Sequence, residues 1–304
     1  MSKKIKISHY IEYLLTLIFL KLLKLVPISF LYPLAKGITN VVTLFVKPRS
    51  KVVLDNLTIA FPNMKKEEME DIRYRMYVNI AMTSLESLKY LYLSNKDKIK
   101  FIEHDKGNID DFKSSLSEKG GIVVGGHLGF FEGGGFLGAA LGIKTSFVVA
   151  NQKNKLTEKL IDIPREGNGI RVIHRKKDSA RNILRAFRDG YCIAMLSDQD
   201  AGKIGDFVTF FGKKASTHKG AAVFALKFKL PIYFVDIRRD KKIKYKHKLN
   251  FIKIDFKDIE ESNLDFDDKV KSLVQRYTNV LEDYIKLHPE EYWWVHKRYK
   301  TKEK

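Results

Sequence analysis

The chain has 304 residues, of which 44% are hydrophobic and 12% are aromatic, a composition that can bury a sizeable core and excludes a globally disordered protein. Lysine and arginine number 56 against 36 acidic residues, so the net charge of +20 attracts polyanions such as nucleic acid, anionic lipid or an acidic protein. The single cysteine, Cys192, excludes an intrachain disulfide framework and is expected in a buried strand.

Residues 10–46 are unusually apolar, so residues 1–48 are predicted to attach the chain firmly to a membrane. The two most apolar runs, 13–20 and 28–35, are separated by Pro27, and neither reaches the ~18 uncharged residues of a clear spanning helix. Two modes of attachment therefore stay open: a short span or re-entrant hairpin, and an amphipathic helix that lies in the interface. In the second mode anionic head groups would meet a set of lysines: Lys3, Lys4, Lys6, Lys21 and Lys24.

Residues 49–304 are predicted to form a single domain after this anchoring segment. Its first part, up to residue 119, is charged and helical, with apolar residues at helical spacing between Lys65 and Tyr92. Asn63 is the predicted start of that helix, since Asn commonly caps a helix N-terminus.

From residue 120 onward, short apolar runs alternate with helical segments. The predicted strands are 121–124, 145–149, 170–173, 192–196, 231–237 and 246–256. The predicted helices are 130–141, 155–163, 179–188, 217–229 and 270–287. Strands separated by helices of about 10–15 residues indicate an α/β sheet with crossover connections. The basic run 238–246 is the predicted turn between the last two strands and a candidate docking site for an acidic carrier protein.

Ligands of open α/β sheets usually bind beyond the carboxyl ends of the strands. His127 follows the first of these strands within a glycine-rich turn, and Glu132 lies five positions on. A turn of that length lets the carboxylate fold back onto the imidazole, where it fixes the tautomer and raises the basicity of the other ring nitrogen. Such a base can deprotonate an alcohol that attacks a thioester, so these two residues are the predicted catalytic pair. The other polar residues that follow predicted strands are Asn151, Arg175, Asp198, Gln199 and Asp200.

The run Gly133–Gly138 fits the pattern G-x-G-x-x-G but does not predict a dinucleotide site. That fingerprint must follow its strand directly, whereas this one begins only after Glu132, and no acidic residue ends the next strand. The sequence also has no P-loop, no zinc-type cluster of His and Cys, and no G-x-S-x-G elbow. It therefore implies neither a metal nor an organic cofactor.

The segment Gly126–Glu132 resembles the signature of the bacterial lipid A biosynthesis late acyltransferases. It departs from that signature at Phe130 and Phe131, where the family usually has Asn and Trp. The resemblance covers nearly the whole chain. Further blocks that resemble the family follow in its order: Asn56-Leu57, Ala60-Phe61-Pro62, Arg165 with Gly169, Asp198-Gln199, Phe210-Phe211-Gly212 with Thr217, Gly220 and Ala221, and Tyr292–Tyr299.

The resemblance implies an α/β fold of the glycerolipid-acyltransferase type, with a mixed central sheet flanked by helices and an N-terminal membrane helix. It implies an acyl carrier protein thioester as donor and a hydroxyl of a lipid A precursor as acceptor. It also implies a place in lipopolysaccharide biosynthesis, with residues 49–304 as the catalytic domain on the cytoplasmic face of the inner membrane. An acidic carrier and an anionic lipid acceptor both agree with the net charge of +20.

Candidate substrate-binding residues lie outside the predicted catalytic pair. Arg165 is a candidate for an acceptor phosphate or for the oxyanion, and Arg298 is a second candidate for phosphate. Asp198 and Gln199 are expected to shape the site from the end of their strand. The predicted acyl groove, which would set the chain length, is lined by Leu128, Phe130, Phe131 and Phe136.

Two alternative functions stay open at this point. The first is an acyltransferase that acts on another glycolipid or on a lysophospholipid. Enzymes of the lysophosphatidic acid type normally show Asn-His-x4-Asp, whereas here Gly126 precedes His127 and Glu132 replaces the Asp. The second is a non-catalytic basic protein that binds membrane or nucleic acid; the apolar N-terminus and the lack of a standard nucleic-acid-binding motif argue against nucleic acid as a partner.

Overall fold

The computed structural model describes residues 6–116, 120–175 and 178–303, so the predicted head-group lysines Lys3 and Lys4 lie outside it. The described helices are α1 (Ile7–Leu25), α2 (Leu31–Phe45), α3 (Ser50–Ala60), α4 (Lys66–Tyr90), α5 (Asn95–Lys100), α6 (Lys106–Ser115), α7 (Gly133–Ala140), α8 (Lys155–Gly167), α9 (Ser179–Arg188), α10 (Gly220–Phe228), α11 (Lys257–Glu261) and α12 (Phe266–Leu287). The described strands are β1 (Ile102–His104), β2 (Gly121–Gly125), β3 (Thr145–Val149), β4 (Ile170–His174), β5 (Cys192–Leu196), β6 (Asp206–Phe210), β7 (Lys213–Thr217), β8 (Ile232–Arg239) and β9 (His247–Lys253).

Seven of these strands form one mixed sheet in the order β1-β9-β8-β2-β5-β3-β4. Strands β8, β2, β5, β3 and β4 are parallel, whereas β9 runs antiparallel to β8 and carries β1 at its outer edge. The predicted fold class, a mixed sheet flanked by helices, is confirmed. Because β2 and β5 are parallel neighbours in register from Gly121 and Cys192 to Gly125 and Leu196, the segments that follow them lie side by side.

Most predicted elements agree with the structure, but the hairpin β6–β7 was missed. It forms a separate two-stranded sheet, and it delays the helix predicted from residue 217 until Gly220. The predicted start of α4 is also wrong: Lys65 is the N-cap, and its N–H donates to the Glu68 carboxylate at 3.0 Å. The basic run 238–246 does contain the predicted turn between two strands, since β8 and β9 form a hairpin.

The helix predicted from residue 130 begins only at Gly133, because residues 126–132 form a tight loop. Gly129 in that loop has a φ of +58°, and a Cβ there would lie 2.1 Å from the carbonyl oxygen of Ile237. Only glycine fits so close an approach of two backbones. The loop therefore lies directly against the end of β8.

Two cores lie on opposite faces of the sheet, as the period-2 alternation of strand side chains requires. Ile122 and Val124 of β2 face the larger core with α10 and α12. Val123 faces the smaller core with α6 and α7, and so does Cys192, which is 3% exposed as predicted for a buried strand. The residues beyond the carboxyl ends of these strands are thus held on a rigid, well-packed support.

Candidate active site

The central pair of the site is His127 and Asp198, which follow the neighbouring strands β2 and β5. Nδ1 of His127 lies 2.8 Å from Oδ1 of Asp198, and the backbone N–H of His127 donates to Oδ2 at 2.9 Å. The Asp198 side chain is 3% exposed and the His127 side chain 18% exposed. An ionised carboxylate only accepts, so Nδ1 carries the proton and Nε2 keeps its lone pair.

The charges around this pair favour an ionised Asp198 and a basic His127. Burial acts most strongly on the pKa of His127 and lowers it, but the charge and hydrogen bond of Asp198, together with the charge of Glu132, outweigh burial and raise it. Burial raises the pKa of Asp198, yet the charge of His127, the two hydrogen bonds from it and the charge of Arg298 lower that pKa to about 2. The carboxylate therefore stays ionised and supports proton uptake at Nε2.

The free face of the imidazole is enclosed by aromatic rings. The ring centroid of Phe131 lies 4.8 Å from that of His127, and the Trp293 centroid lies at 5.5 Å. The backbone N–H of Trp293 donates to the backbone carbonyl of His127 at 3.0 Å, so the C-terminal segment forms a wall of the site. The side-chain amide nitrogen of Gln199 lies 3.3 Å from Nε2. The Gln199 amide is thus the polar neighbour of Nε2 among the described residues, and aromatic rings pack on the imidazole.

Glu132 lies in the same region but forms no hydrogen bond with His127. Its carboxylate pairs with the Arg165 guanidinium at 3.2 Å, and Arg165 also lies 3.6 Å from Asp162. The Arg165 Nε is buried and has no hydrogen-bond partner among the described residues. The structure therefore brings the two predicted catalytic residues into one site, but the carboxylate that touches the imidazole belongs to Asp198.

The predicted phosphate ligand Arg298 lies inside the protein. It is 3% exposed, and its guanidinium donates to the carbonyl groups of Gln199 and Ser216 and to the hydroxyl of Thr217. These contacts fix the segment after Asp198 to the hairpin β6–β7. Arg298 therefore stabilises the segment after Asp198. Because its side chain is buried, an acceptor phosphate does not reach it in this arrangement.

A narrow apolar cavity opens beside His127 and runs along the sheet under α7. Leu128 and Phe131, two of the four residues predicted to line an acyl groove, line this cavity. Phe130 and Phe136 do not: both are fully buried on the other side of the loop, against Tyr90. The remaining lining is apolar or small and includes Gly134, Gly135 and Gly138 of α7, Ala194, Leu196 and Cys192 of β5, and Phe112 and Phe251 at the far end.

The early and late sequence blocks meet behind the site. The side-chain amide of Asn56 donates to the carbonyl groups of Trp294 at 2.7 Å and His296 at 2.8 Å. The ring of Phe61 packs on Trp294 and on Phe211, with centroids 6.0 and 5.7 Å apart. Residues that are more than 200 positions apart thus hold the C-terminal wall against His127.

One group of side chains has the composition of a metal site. Ligand atoms of Glu158, Asp162 and His174 lie within 4.8 Å of one another. Both oxygens of Glu158, however, accept hydrogen bonds from Lys155, at 2.7 and 2.8 Å, and Asp162 lies 3.6 Å from Arg165. These protein cations already neutralise the carboxylates, so the group is explained as a salt-bridge network of α8.

The family assignment agrees with this arrangement. The family model for bacterial lipid A biosynthesis acyltransferases matches residues 1–301. The chain belongs to this family. It is similar to the lipid A biosynthesis palmitoleoyltransferase of Escherichia coli (strain K12), with 25% identity over 263 residues, 85% of this chain and 81% of that protein. A lipid A biosynthesis acyltransferase of Shigella flexneri matches with the same identity of 25% and the same coverage of 85% and 81%.

The chain is therefore an acyltransferase of lipid A biosynthesis, and the resemblance seen in the sequence is confirmed. The candidate site contains an imidazole with a fixed tautomer, an apolar cavity lined by its chain neighbours and the guanidinium of Arg165. The contact between Asp198 and His127 was not predicted. The sequence does show that Asp198 and Gln199 follow a strand, which is β5. Only the strand order of the folded sheet shows that β5 lies next to β2.

Proposed function

We propose that this acyltransferase moves a fatty acyl group from an acyl carrier protein thioester to a hydroxyl of a lipid A precursor, with His127 as the general base. One observation carries the proposal. The Nδ1 of His127 is held by a buried, ionised Asp198, so the lone pair stays on Nε2, and both chain neighbours of His127, Gly126 and Leu128, line an apolar cavity. The cavity suits the acyl chain, and Nε2 suits the hydroxyl proton.

The steps follow from that geometry. Nε2 takes the proton of the acceptor hydroxyl as its oxygen attacks the thioester carbonyl, and a tetrahedral oxyanion forms. When the carbon–sulfur bond breaks, the thiolate leaves and takes the proton back from the imidazolium, so the base is regenerated. General-base catalysis of this kind contributes about 10²–10⁴-fold to a rate.

Glu132 and Arg165 act together in this proposal. The negative charge of Glu132 raises the basicity of His127 through space, while its carboxylate holds Arg165 at 3.2 Å. The Arg165 side chain is 14% exposed beside Glu132, so in this proposal its guanidinium can stabilise an oxyanion or bind an anionic group of the acceptor. Glu132 is then a positioning residue, and Arg165 contacts the reacting atoms or the acceptor.

The donor is proposed to be protein-bound because a basic helix leads away from the site. Arg175 is exposed directly after β4 and lies near enough to lower the pKa of His218 and to affect that of His127. In α9, which follows, Arg181, Arg185 and Arg188 are exposed at spacings that place them on one face. An acidic carrier protein complements that face.

The test is an acyl-transfer assay with purified enzyme. Carrier-bound and coenzyme A-bound acyl donors are compared, each with a lipid A precursor and with a lysophospholipid as acceptor. We expect transfer from the carrier to the lipid A precursor, and transfer that is about 10²–10⁴-fold slower with His127→Ala. Faster transfer to the lysophospholipid would contradict the proposed lipid A acceptor. Equal rates with both donors would contradict the proposed acyl carrier protein donor.

The cavity is proposed to measure the acyl chain. Leu196, Ala194 and Cys192 alternate along one face of β5 and line the cavity from its mouth inward, over roughly 13 Å at ~3.3 Å per residue. Ala194→Leu should therefore block the cavity halfway and shorten the accepted chain more than Cys192→Leu does. The matched control is Ile193→Leu, because Ile193 faces the opposite core.

The accepted chain length is measured with carrier proteins that bear acyl chains of increasing length. Mass spectrometry identifies the products. We expect Ile193→Leu to accept chains as long as those of the unchanged enzyme. The longest chain accepted by Cys192→Leu should be shorter, and that accepted by Ala194→Leu should be the shortest. The same chain-length profile for all three variants would show that the acyl group lies elsewhere.

A further inference from the structure

The exposed apolar surface of the protein is concentrated at its N-terminus. Of the 25 large apolar side chains that are exposed in the described residues, 17 lie between Ile7 and Val46. In α1 they recur at helical spacing and form one stripe along its 19 residues: Ile7, Ile11, Leu14, Leu15, Ile18, Leu22 and Leu25. A stripe of this extent on a water-soluble surface needs a covering partner.

The opposite side of α1 is fixed to the domain at both ends. Near its start, the side-chain amide of Asn154, at the N-cap of α8, donates to the carbonyl of His9 at 2.9 Å. At its end, the buried ammonium of Lys89 donates to the carbonyl groups of Leu23, Lys24 and Val26 at 3.2, 2.6 and 2.7 Å. These are carbonyl groups that a helix end leaves without partners, so Lys89 acts as a C-terminal cap.

Helix α2 lies along the domain in the same way. Leu31, Ala35 and Thr39 are buried at intervals of four residues, which form a stripe that packs on α4. Towards the end of α2, the hydroxyl of Tyr74 in α4 donates to the side-chain oxygen of Asn40 at 2.6 Å. The range Ile28–Phe45 is long and apolar enough to cross a membrane by composition, and its buried residues, 17% of the range, lie on the side that packs on α4.

These attachments decide the orientation of the two helices in a membrane. If α1 spanned the bilayer, α8 would lie beside it within the hydrocarbon, and α8 carries Lys155, Glu158 and Lys159 in its first turns. Charged side chains at that depth cost several kcal/mol each. A spanning α2 would likewise draw the charged helix α4 into the hydrocarbon. A helix that lies in the interface exposes only its apolar stripe to lipid and avoids this cost.

We propose that α1 and α2 lie in the plane of an anionic membrane leaflet, with their outward apolar faces in the acyl region, and that the β8–β9 turn is a third contact with the same leaflet. The choice of a membrane as the occupant rests on the proposed lipid acceptor. The orientation rests on the attachments of α1 and α2 alone. The catalytic domain then stays on one side of the bilayer without any spanning segment among the described residues.

The β8–β9 turn has the chemistry of a head-group contact. Tyr245 packs into the cluster where the end of α1 meets the start of α2, and the ammonium of Lys244 lies 5.9 Å from the ring centroid of Tyr32. At the tip of the turn, Ile243 is 38% exposed between the lysines. The Asp240 carboxylate accepts two backbone N–H groups of the turn and fixes its shape. Lysines beside an apolar tip attract anionic lipid.

The depth of α1 can be measured with spin labels, because the one native cysteine is buried. In a Cys192→Ser background, single cysteines replace Ile11, Leu15, Ile18 and Leu22 in turn, and oxygen and nickel accessibility give the depth of each label in vesicles of phosphatidylethanolamine with phosphatidylglycerol. An interfacial helix places all four labels at one shallow depth of about 5–10 Å. A label at Lys227, which is exposed on α10, is the aqueous control.

Two outcomes would overturn the proposal. One is a depth profile that rises and falls along α1 and reaches the bilayer centre, about 15 Å from either surface, because that is the profile of a spanning helix. The other is aqueous accessibility at all four sites. The measurement is made on the His127→Ala protein as well, so it does not depend on acyl transfer. If transfer fails but the shallow depths remain, the proposed function fails and this inference stands.

The turn is tested separately by vesicle binding. The triple variant Lys241→Gln, Lys242→Gln, Lys244→Gln should bind phosphatidylglycerol vesicles up to ~100-fold more weakly at low ionic strength, at about fivefold for each lysine. The matched control replaces three exposed lysines of other helices: Lys227, Lys257 and Lys271. An equal loss of vesicle binding in both triple variants would show that only the total charge matters, and it would contradict a specific role of the turn.

Discussion

His127 in the loop 126–132 and His247, which packs against that loop, both contact an acidic side chain. His127 contacts Asp198 at the edge of the sheet, whereas Nε2 of His247 lies 3.2 Å from Glu86 in the interior, with no exposed surface on either side chain. The guanidinium of Arg239 joins the second pair, 2.6 Å from Glu86. The two pairs have similar chemistry and very different surroundings.

The surroundings reverse the behaviour of the imidazole. Burial lowers the pKa of His247, and the charge of Arg239 lowers it further, so the opposing effect of Glu86 does not prevail. At His127 there is no such cation in contact, and the carboxylates prevail over burial and raise the pKa. The pKa is raised for the histidine that is partly exposed, and it is lowered for the one that is fully buried with a guanidinium in contact with its ring.

Neighbouring residues of the loop separate these two environments. The ring of Phe130 lies 4.9 Å from His247, and the ring of Phe131 lies 4.8 Å from His127, measured between centroids. The loop thus turns one aromatic side chain inward and the next one outward. Phe130 covers the buried ionic cluster, and Phe131 lines the apolar cavity.

Removal of the accessible imidazole should have the largest effect. His127→Ala should lower turnover by about 10²–10⁴-fold, because the general base is lost. Its thermal unfolding and vesicle binding should match those of the unchanged protein. Near-normal turnover of the folded variant would contradict the role of His127 as base.

Removal of the buried acid should act on stability instead. Glu86→Gln leaves Arg239 as an uncompensated charge in the interior, which typically costs about 3–5 kcal/mol of unfolding free energy. Urea unfolding measures the loss, and turnover per folded molecule at low temperature should change little. A large loss of turnover with unchanged stability would show that this cluster belongs to the catalytic machinery.

Asp198→Asn should weaken the accessible base without removing it. Loss of the acid that fixes the tautomer of a catalytic histidine can lower kcat by up to about 10⁴-fold. The acid limb of the pH–rate profile reports the pKa of His127, below which the ring is protonated and inactive. Because the variant loses the strongest influence that raises this pKa, its acid limb should move to lower pH. An unmoved limb would mean that Asp198 does not act through the imidazole.

Glu132→Gln should move the same limb in the same direction by less, because Glu132 acts on His127 only through space. It should also raise the KM for the lipid acceptor, since Arg165 loses the partner that positions it. Arg165→Lys is the companion variant, and it should raise the same KM without moving the limb. A larger shift for Glu132→Gln than for Asp198→Asn would restore Glu132 as the direct partner of His127.

The sequence was sufficient for the elements whose pattern is local. Strands β3 and β5 and helix α9 have the predicted bounds, because apolar periodicity and flanking glycines define them without reference to the rest of the chain. The hairpin β6–β7 was missed because its short strands carry a mixed pattern, and a tight turn at Phe211 and Gly212 joins them.

By itself, the sequence determined the α/β class, the family and the position of His127 after a buried strand, since each depends on the order of residues along the chain. The tertiary structure alone decided that β5 lies beside β2, which brings Asp198 rather than Glu132 to the imidazole. It also decided that Arg298, Phe130 and Phe136 are buried and that α1 and α2 lie along the domain. Strand order and helix docking arise from contacts between distant segments, and spacing along the chain does not encode those directly.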